Sequence, residues 1–184
     1  RDSSVTGVQT CALPISMKIM RFLFCLFLPF VWLSGAVAEP LAKPTGKPIL
    51  VISGNISNTN VDDTAQFDRD MLEAIGLVTV ETTNPWYDGR VRFEGVLMDK
   101  LMTLVGAKGT NVTAVALNDY VSKLPMEDFT KFNVILAMKR DGNYMPVRDK
   151  GPLFIIYPYD SDPQLQTQTY YTRSAWQVAK LIVE

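Results

Sequence analysis

The sequence contains no histidine, and its two cysteines are Cys11 and Cys25, close to the start of the chain. Residues 39–184 therefore offer neither an imidazole nor a thiol. Serine–histidine–aspartate and cysteine–histidine nucleophile systems cannot be built from this region. A zinc site with cysteine and histidine ligands is excluded on the same ground. The candidates for function that remain are aromatic side chains and side chains that carry oxygen or an amide.

Phosphate-binding and calcium-binding motifs are missing as well. The sequence has no glycine-rich phosphate loop and no loop with the spaced carboxylates of an EF-hand. Asp160-Ser161-Asp162 is a weak hint of a cation site, and a solvated turn is the simpler interpretation. Residues 39–184 carry 15 basic and 18 acidic side chains, a formal net charge of −3. Because no basic stripe is present, nucleic acid is not expected as a partner.

The start of the chain is predicted to lie outside the folded domain. Residues 1–16 show no hydrophobic period and resemble the translation of a sequencing adapter, so we interpret them as an artefact. Residues 17–38 have the basic start, the apolar run Phe22–Leu33 and the A-x-A site at 36–38 that are typical of a secretory signal peptide. A permanent membrane anchor is the alternative, but this run is shorter than the roughly 20 residues that a span needs. The prediction is a periplasmic protein with a single domain at residues 39–184.

Local patterns predict an α+β domain with a mixed β-sheet and a few flanking helices. The clearest helix covers Leu97–Val105, because its apolar residues share one face and Gly106 follows it. A second helix is predicted from an N-cap at Thr64 to Ile75. A short helix or turn is predicted at 125–129, a turn at 140–143 and a last apolar segment at 176–183. Strands are predicted where apolar and β-branched residues alternate or run together, at 48–53, 77–81, 91–94, 111–117, 134–138 and 152–157.

Three clusters of aromatic and polar residues each follow a predicted strand. They are Trp86-Tyr87, Asn118-Asp119-Tyr120 and Tyr157-Pro158-Tyr159-Asp160. Loops at strand ends are a common place for ligand sites, and aromatic rings stack on flat heterocycles. The alternative is that these rings fill the core. Arg148 could face an anionic group of a ligand or form an ordinary surface ion pair with Asp149.

The order of several segments resembles the sulfite-oxidase-type molybdopterin-binding fold. The segments are RVRFEGVLMDKLMTLVGAKG at 90–109, ALNDYVSKLP at 116–125 and LAMKRDGNYMPVRDKGPLFIIYPYD at 136–160, followed by Trp176. In that family a Phe-x-Gly-Val segment leads into a helix, and a hairpin with Asp-Gly or Asn-Gly precedes a Gly-Pro-Leu strand. The resemblance spans residues 77–184 and implies the fold of that family.

The sequence departs from that family at the metal ligand. Family enzymes bind molybdenum through a cysteine after the strand that precedes the Phe-x-Gly-Val segment, and in this chain that neighbourhood is Val80-Glu81-Thr82-Thr83-Asn84. A hydroxyl is a poor substitute for a thiolate on this metal. The chain is similar to small periplasmic pterin-binding proteins, which resemble this fold but lack the cysteine. That resemblance implies a molybdenum-free pterin as ligand and, as partner, the periplasmic domain of a membrane diguanylate cyclase/phosphodiesterase.

The resulting hypothesis is a non-catalytic pterin sensor or adaptor. In it, Trp86 stacks on the pterin ring, and polar side chains pair with the edge of that ring. The residues assigned to the pterin site are Thr83, Trp86, Asn118, Asp119, Tyr120, Arg148 and Tyr159. Tyr120 and Tyr159 are predicted to wall the pocket, and Arg148 to face a polar substituent. A molybdopterin-dependent oxidoreductase and a ligand-free protein-interaction module are the alternatives.

Overall fold

The computed structural model describes residues 40–184, so the predictions for 1–16 and 17–38 fall outside the described residues. The described chain forms fourteen helices and strands. In chain order they are β1 (Leu50–Gly54), β2 (Ala65–Phe67), α1 (Arg69–Ala74), β3 (Leu77–Asn84), β4 (Tyr87–Leu97), α2 (Met98–Leu104), β5 (Asn111–Ala116), β6 (Val121–Pro125), α3 (Glu127–Phe132), β7 (Ile135–Arg140), β8 (Asn143–Tyr144), β9 (Phe154–Ile156), α4 (Gln168–Arg173) and β10 (Val178–Val183). Three short 3₁₀ turns lie at Val147–Asp149, Tyr159–Ser161 and Pro163–Leu165.

The strands form two five-stranded sheets rather than one. The first has the order β2-β1-β10-β5-β6 and is mixed, because β1 and β10 run parallel while its other pairs are antiparallel. The second has the order β3-β4-β7-β8, with β9 also paired to β7, and all its pairs are antiparallel. Four short helices accompany these sheets among the described residues. The α+β prediction is confirmed, and the single predicted sheet is replaced by two.

Local patterns located several elements well. The predicted helix at 97–105 corresponds to α2, whose Met98 and Leu101 are buried. In β5 the alternation is as expected, because Val112, Ala114 and Ala116 are buried while the residues between them are not. The turn before β8 contains Asp141 at φ 49° and Gly142 at φ 80°, two left-handed residues in succession, which is the requirement of a tight two-residue hairpin.

The helix predicted from Thr64 to Ile75 is wrong in its first part. Residues Ala65–Phe67 form a strand that pairs antiparallel with β1. The helix begins only after Asp68, whose carboxylate accepts a hydrogen bond from the Met71 amide at 2.9 Å. Pairing with β1 outweighed the local helical spacing, which contained no information about that strand.

Gly95 shows why the Phe-x-Gly-Val segment needs its glycine. The pairing of β4 with β7 shifts register between Glu94 and Gly95, so the two backbones approach closely at that point. A Cβ at position 95 would lie 2.2 Å from the carbonyl oxygen of Leu136. No side chain fits there without moving the neighbouring strand.

The interior contains two apolar clusters. The larger is built from β1, β5, β10, α2 and their neighbours, and the smaller lies on the second sheet around Phe93, Ile135 and Phe154. Trp86 packs against both clusters. The turn that carries Trp86, between β3 and β4, is thereby fixed at the junction of the two clusters.

Candidate functional site

A cavity of about 320 Å³ opens beside Trp86. It lies where the β3–β4 turn, the β5–β6 turn, α4 and the segment after α4 meet. Four aromatic rings and five other side chains line it, and none of them is charged. The lining residues are Pro85, Trp86, Asn118, Tyr120, Gln168, Tyr171, Thr172, Ser174 and Trp176. This volume lies at the small end of the roughly 300–1,000 Å³ that is usual for small-molecule sites.

The β3–β4 turn is fixed by the side chain of Asn84. Its Oδ1 accepts hydrogen bonds from the amides of Trp86 at 3.0 Å and Tyr87 at 3.1 Å, which closes a local side-chain turn. The amide nitrogen Nδ2 of Asn84 is buried and has no hydrogen-bond partner among the described residues. This turn sets the position of the Trp86 ring.

The Trp86 ring is the centre of an aromatic group. Four rings surround it edge-on, with centroids 5.2–6.2 Å away and planes inclined by 62–80°, namely Phe154, Tyr159, Tyr171 and Trp176. Edge-to-face geometry is the favourable arrangement for neighbouring aromatic rings. Trp86 therefore lines the cavity and also serves as a core residue, which combines the two roles that its sequence context left open.

The β5–β6 turn holds Asn118 and Tyr120 at the mouth of the cavity. Asp119 adopts φ 64°, and the Asn118 Oδ1 accepts a hydrogen bond from the Tyr120 amide at 3.2 Å. The Tyr120 hydroxyl donates to the carbonyl oxygen of Thr172 at 2.9 Å, and the Ser122 hydroxyl donates to the same oxygen at 2.8 Å. The turn is thus joined to the end of α4 on the opposite side of the cavity.

A buried carboxylate anchors α4 from behind. Asp128 in α3 is 3% exposed and accepts hydrogen bonds from the Tyr157 hydroxyl at 2.8 Å and from Arg173 Nη1 at 2.7 Å. Burial, reinforced by the adjacent Asp128 charge, raises the pKa of Tyr157 above its ordinary value, so this hydroxyl stays a donor. Because Arg173 ends α4, this contact positions Tyr171 and Thr172 in the cavity wall.

The structure brings three of the seven predicted site residues together at one cavity. Trp86, Asn118 and Tyr120 line it. Tyr159 is 1% exposed and lies beneath it, with its hydroxyl bonded to Ser174 and its pKa raised by burial. Asp119 is exposed in the adjacent turn, and its side chain is not part of the lining.

The other two predicted site residues, Thr83 and Arg148, lie away from the lining. The amide of Thr83 donates to Asp160 at 3.0 Å, and its hydroxyl is bonded to the same carboxylate. Arg148 is exposed in a 3₁₀ turn and forms no ion pair with any residue in 40–184. The surface pair with Asp149 that its sequence suggested is made instead by Arg140, at 2.9 Å.

Sequence reasoning missed the whole second wall of the cavity. That wall consists of Gln168, Tyr171, Thr172, Ser174 and Trp176. The segment Gln168–Arg173 has no apolar stripe and buries no residue, so no helical pattern marks it. The available signal was the run of hydroxyl, amide and aromatic side chains between 166 and 176.

A second, larger groove lies between α1 and α2. It measures about 720 Å³, and its lining is mostly aliphatic, including Leu41, Met71, Ile75 and Leu104. It offers no pair of aromatic faces and no primary amide. The smaller cavity is therefore the better candidate for a ligand that is bound by stacking and hydrogen bonds.

The described residues contain no group of three or more His, Cys, Asp or Glu side chains placed to hold a metal ion. Within residues 40–184 no helix has the length and apolar character needed to cross a membrane.

Comparison of the sequence with protein-family models and with curated proteins finds no match. Membership of the sulfite-oxidase-type fold is therefore a proposal that rests on the resemblance of the sequence.

Asp160 fastens the strand that precedes the Trp86 turn. Its carboxylate accepts hydrogen bonds from Thr83 and from Arg90 Nε at 3.2 Å, and its backbone amide donates to the Thr82 hydroxyl at 3.1 Å. The Thr83 hydroxyl, followed by the Thr83 amide and Arg90, holds the pKa of Asp160 below its ordinary value. A carboxyl with a depressed pKa in the folded state stabilises the fold above its ordinary pKa, and this stabilisation is lost as the pH falls through the folded value.

Asp160→Asn should therefore lower Tm by about 2–4 °C at pH 7, the equivalent of about 1 kcal/mol. The difference from the unsubstituted protein should shrink as the pH is lowered from 5 towards 2. Thermal melts followed by circular dichroism at both ends of this range measure it. Asp88→Asn is the matched control, because Asp88 is exposed in β4 and its side chain makes no hydrogen bond or ion pair with residues 40–184. A Tm difference that is the same at pH 7 and pH 2 would contradict the assignment.

Proposed function

We propose that the protein is a non-catalytic pterin-binding sensor or adaptor that acts in the periplasm. The observation that carries this proposal is a small cavity lined by four aromatic rings and by uncharged hydrogen-bonding groups. A pterin is a flat bicyclic heterocycle whose faces stack on aromatic rings and whose edge carries amide-like donors and acceptors. The cavity offers both kinds of contact in one place.

Two primary amides are available to the edge of the heterocycle. Asn118 uses Oδ1 for the Tyr120 amide, and its Nδ2 has no partner among residues 40–184. The side-chain amide of Gln168 makes no hydrogen bond within the same region. Polar groups that line a small apolar cavity without a protein partner are suited to orient a ligand, because they bond to it without breaking an existing contact.

A phosphate-free ligand fits this cavity better than molybdopterin does. Molybdopterin carries a phosphate, and no arginine or lysine is part of the lining. Enzymes of the sulfite-oxidase type bind the metal through a cysteine thiolate, for which a hydroxyl is a poor substitute. Residues 40–184 contain no cysteine, and the hydroxyl of fully buried Thr82 already bonds the Thr83 carbonyl and the Asp160 amide. The donor set therefore favours a molybdenum-free pterin over an oxidoreductase cofactor.

The proposed partner is the periplasmic domain of a membrane diguanylate cyclase/phosphodiesterase. Docking on this domain would signal to the enzyme whether pterin is bound. Support for it comes from the resemblance of 90–109, 116–125 and 136–160 to the small periplasmic pterin-binding proteins. Large apolar side chains that such a partner could cover are exposed at Leu117 and Val147, beside the β5–β6 turn and Arg148. If the cavity proves to bind no ligand, a protein-interaction module is the function that this surface supports.

The protein without residues 1–38, called the processed protein below, should bind a reduced pterin with micromolar or higher affinity. The substitution Trp176→Leu should weaken that affinity about 10- to 100-fold. The expected loss reflects the roughly 1–3 kcal/mol that stacking of a base on an aromatic ring contributes. Titration calorimetry under anaerobic conditions measures the affinity. Mass spectrometry of released small molecules and metal analysis on the same sample identify a co-purified ligand.

Tyr144→Leu is the matched control for that substitution, because Tyr144 is an exposed ring on β8 and does not line the cavity. Its removal should leave pterin affinity unchanged. If no binding is detected at a ligand concentration of about 0.1 mM, which is about 100 times a dissociation constant of 1 μM, the proposed function is refuted. Stoichiometric molybdenum in the purified protein would replace it with the oxidoreductase.

A further inference from the structure

Tyr120 and Trp176 line the cavity with nearly parallel ring planes. Their ring planes are inclined by only 6°, and the ring centroids are 6.4 Å apart. The other rings next to Trp176 meet it edge-on, with Trp86 at 71° and Phe154 at 88°. Tyr120 is the parallel neighbour of Trp176 within residues 40–184, and both rings line the cavity.

The separation of these two rings is slightly too small for a flat ligand between them. Carbon atoms in contact lie about 3.5 Å apart, so a ring held on both faces needs about 7 Å between its neighbours. The centroid distance of 6.4 Å is an upper limit on the perpendicular distance between parallel planes. One ring must therefore move outward by at least about 0.6 Å before a heterocycle can enter.

Tyr120 is the ring that can move. Trp176 is held by Trp86 and Phe154, with centroids 5.9 and 6.2 Å away, and its backbone forms a β-bridge with Phe154. Tyr120 is 44% exposed in a turn, next to Asp119 in the left-handed region. The hydrogen bond from its hydroxyl to the Thr172 carbonyl, at 2.9 Å, holds the ring over the cavity.

We propose that Tyr120 and Trp176 form a slot for one planar ring and that the Tyr120 hydroxyl is the latch that keeps the slot closed. This inference rests on the proposed function, because it takes the pterin as the ring that enters. It assigns stacking to Trp176 and Tyr120, whereas the edge-on contacts of Trp86 make that residue the support behind the slot. The latch must break both for entry and for exit of the ligand.

Tyr120→Phe keeps the ring and removes the latch. The association and dissociation rate constants for a reduced pterin should both rise about 2- to 10-fold, the effect of losing one neutral hydrogen bond. The dissociation constant should change little if, as the latch requires, the hydroxyl re-forms its bond to the Thr172 carbonyl over the bound ring. Stopped-flow fluorescence measures both rates. Tyr120→Ala removes a face of the slot and should weaken binding at least about tenfold.

Tyr144→Phe is a closely matched control. Tyr144 is 42% exposed, against 44% for Tyr120, and its hydroxyl also makes one hydrogen bond, to Glu73, away from the cavity. This variant should leave both rate constants at the values of the unsubstituted protein. Rates in Tyr120→Phe equal to those of the control would overturn the latch.

The latch can also be tested without ligand, by acrylamide quenching of tryptophan fluorescence in the processed protein. Loss of the latch should expose Trp176, so Tyr120→Phe should raise the quenching constant and Tyr144→Phe should not. The measurement is repeated in a Trp86→Phe background, in which Trp176 is the tryptophan that remains within residues 40–184. Because the first measurement keeps Trp86, the test does not depend on whether Trp86→Phe folds. Increased quenching without pterin binding would support the latch and refute the proposed function. Unchanged quenching would overturn the latch even if the pterin binds.

Discussion

Trp86→Ala should lower the free energy of unfolding by about 3–5 kcal/mol, the usual cost of deleting a large aromatic side chain from a packed site. The reason is the position of the ring, which contacts both apolar clusters and has four aromatic neighbours. For a domain of about this size the loss corresponds to a fall in Tm of about 10 °C. Urea denaturation followed by circular dichroism measures the free energy.

Trp86→Phe is the control, because it keeps an aromatic ring at position 86 but loses part of the packed volume of tryptophan. Phenylalanine fills part of the volume and keeps edge-to-face contacts, so we expect a loss of about 1–2 kcal/mol. Pterin affinity should fall with stability in the alanine variant, because Trp176 loses the ring that supports it at 5.9 Å. A Trp86→Ala protein as stable as the unsubstituted one would show that the two clusters do not depend on this ring.

Much of the fold could be predicted from the sequence because many signals are local. The helix α2 and the strand β5 carry apolar spacing that is visible in a short window, and the turn before β8 carries Asp-Gly. By contrast, β2 is defined by pairing with β1, and β6 buries Ser122 together with Leu124, so its alternation is not apolar. Such elements are defined by strand pairing and by contacts of polar side chains, which apolar spacing does not reveal.

The candidate cavity and the residues predicted from the sequence overlap only in part, because a local pattern does not specify contacts with distant residues. Of the residues that the sequence singled out at strand ends, Trp86, Asn118 and Tyr120 line the same cavity. Whether a side chain at a strand end points into a cavity or is used locally depends on neighbours such as Asp160 and Ser174, which bond Thr83 and Tyr159. The pattern of the sequence specifies neither partner.

Asp128→Ala should destabilise the protein by about 3 kcal/mol and weaken the cavity wall at the same time. The substitution leaves the fully buried Tyr157 hydroxyl without an acceptor, at a cost of about 1–3 kcal/mol. It also removes the ion pair with Arg173, whose side chain is 23% exposed and can be partly hydrated instead. Equilibrium unfolding in urea gives the free energy, and pterin titration gives the effect on the cavity.

Two further variants decide between loss of the hydrogen bonds and loss of charge. Asp128→Asn keeps an acceptor for the Tyr157 hydroxyl and should cost less than the alanine variant, about 1–2 kcal/mol. Glu127→Ala removes the neighbouring exposed carboxylate from the same first turn of α3 and should cost at most about 0.5 kcal/mol. Asp128 holds α4 through Arg173 and through Tyr157, whose ring packs against Tyr170. Pterin affinity should therefore fall with Asp128→Ala and stay unchanged with Glu127→Ala. Equal destabilisation by the two alanine substitutions would mean that the buried contacts of Asp128 do not hold α4 in place.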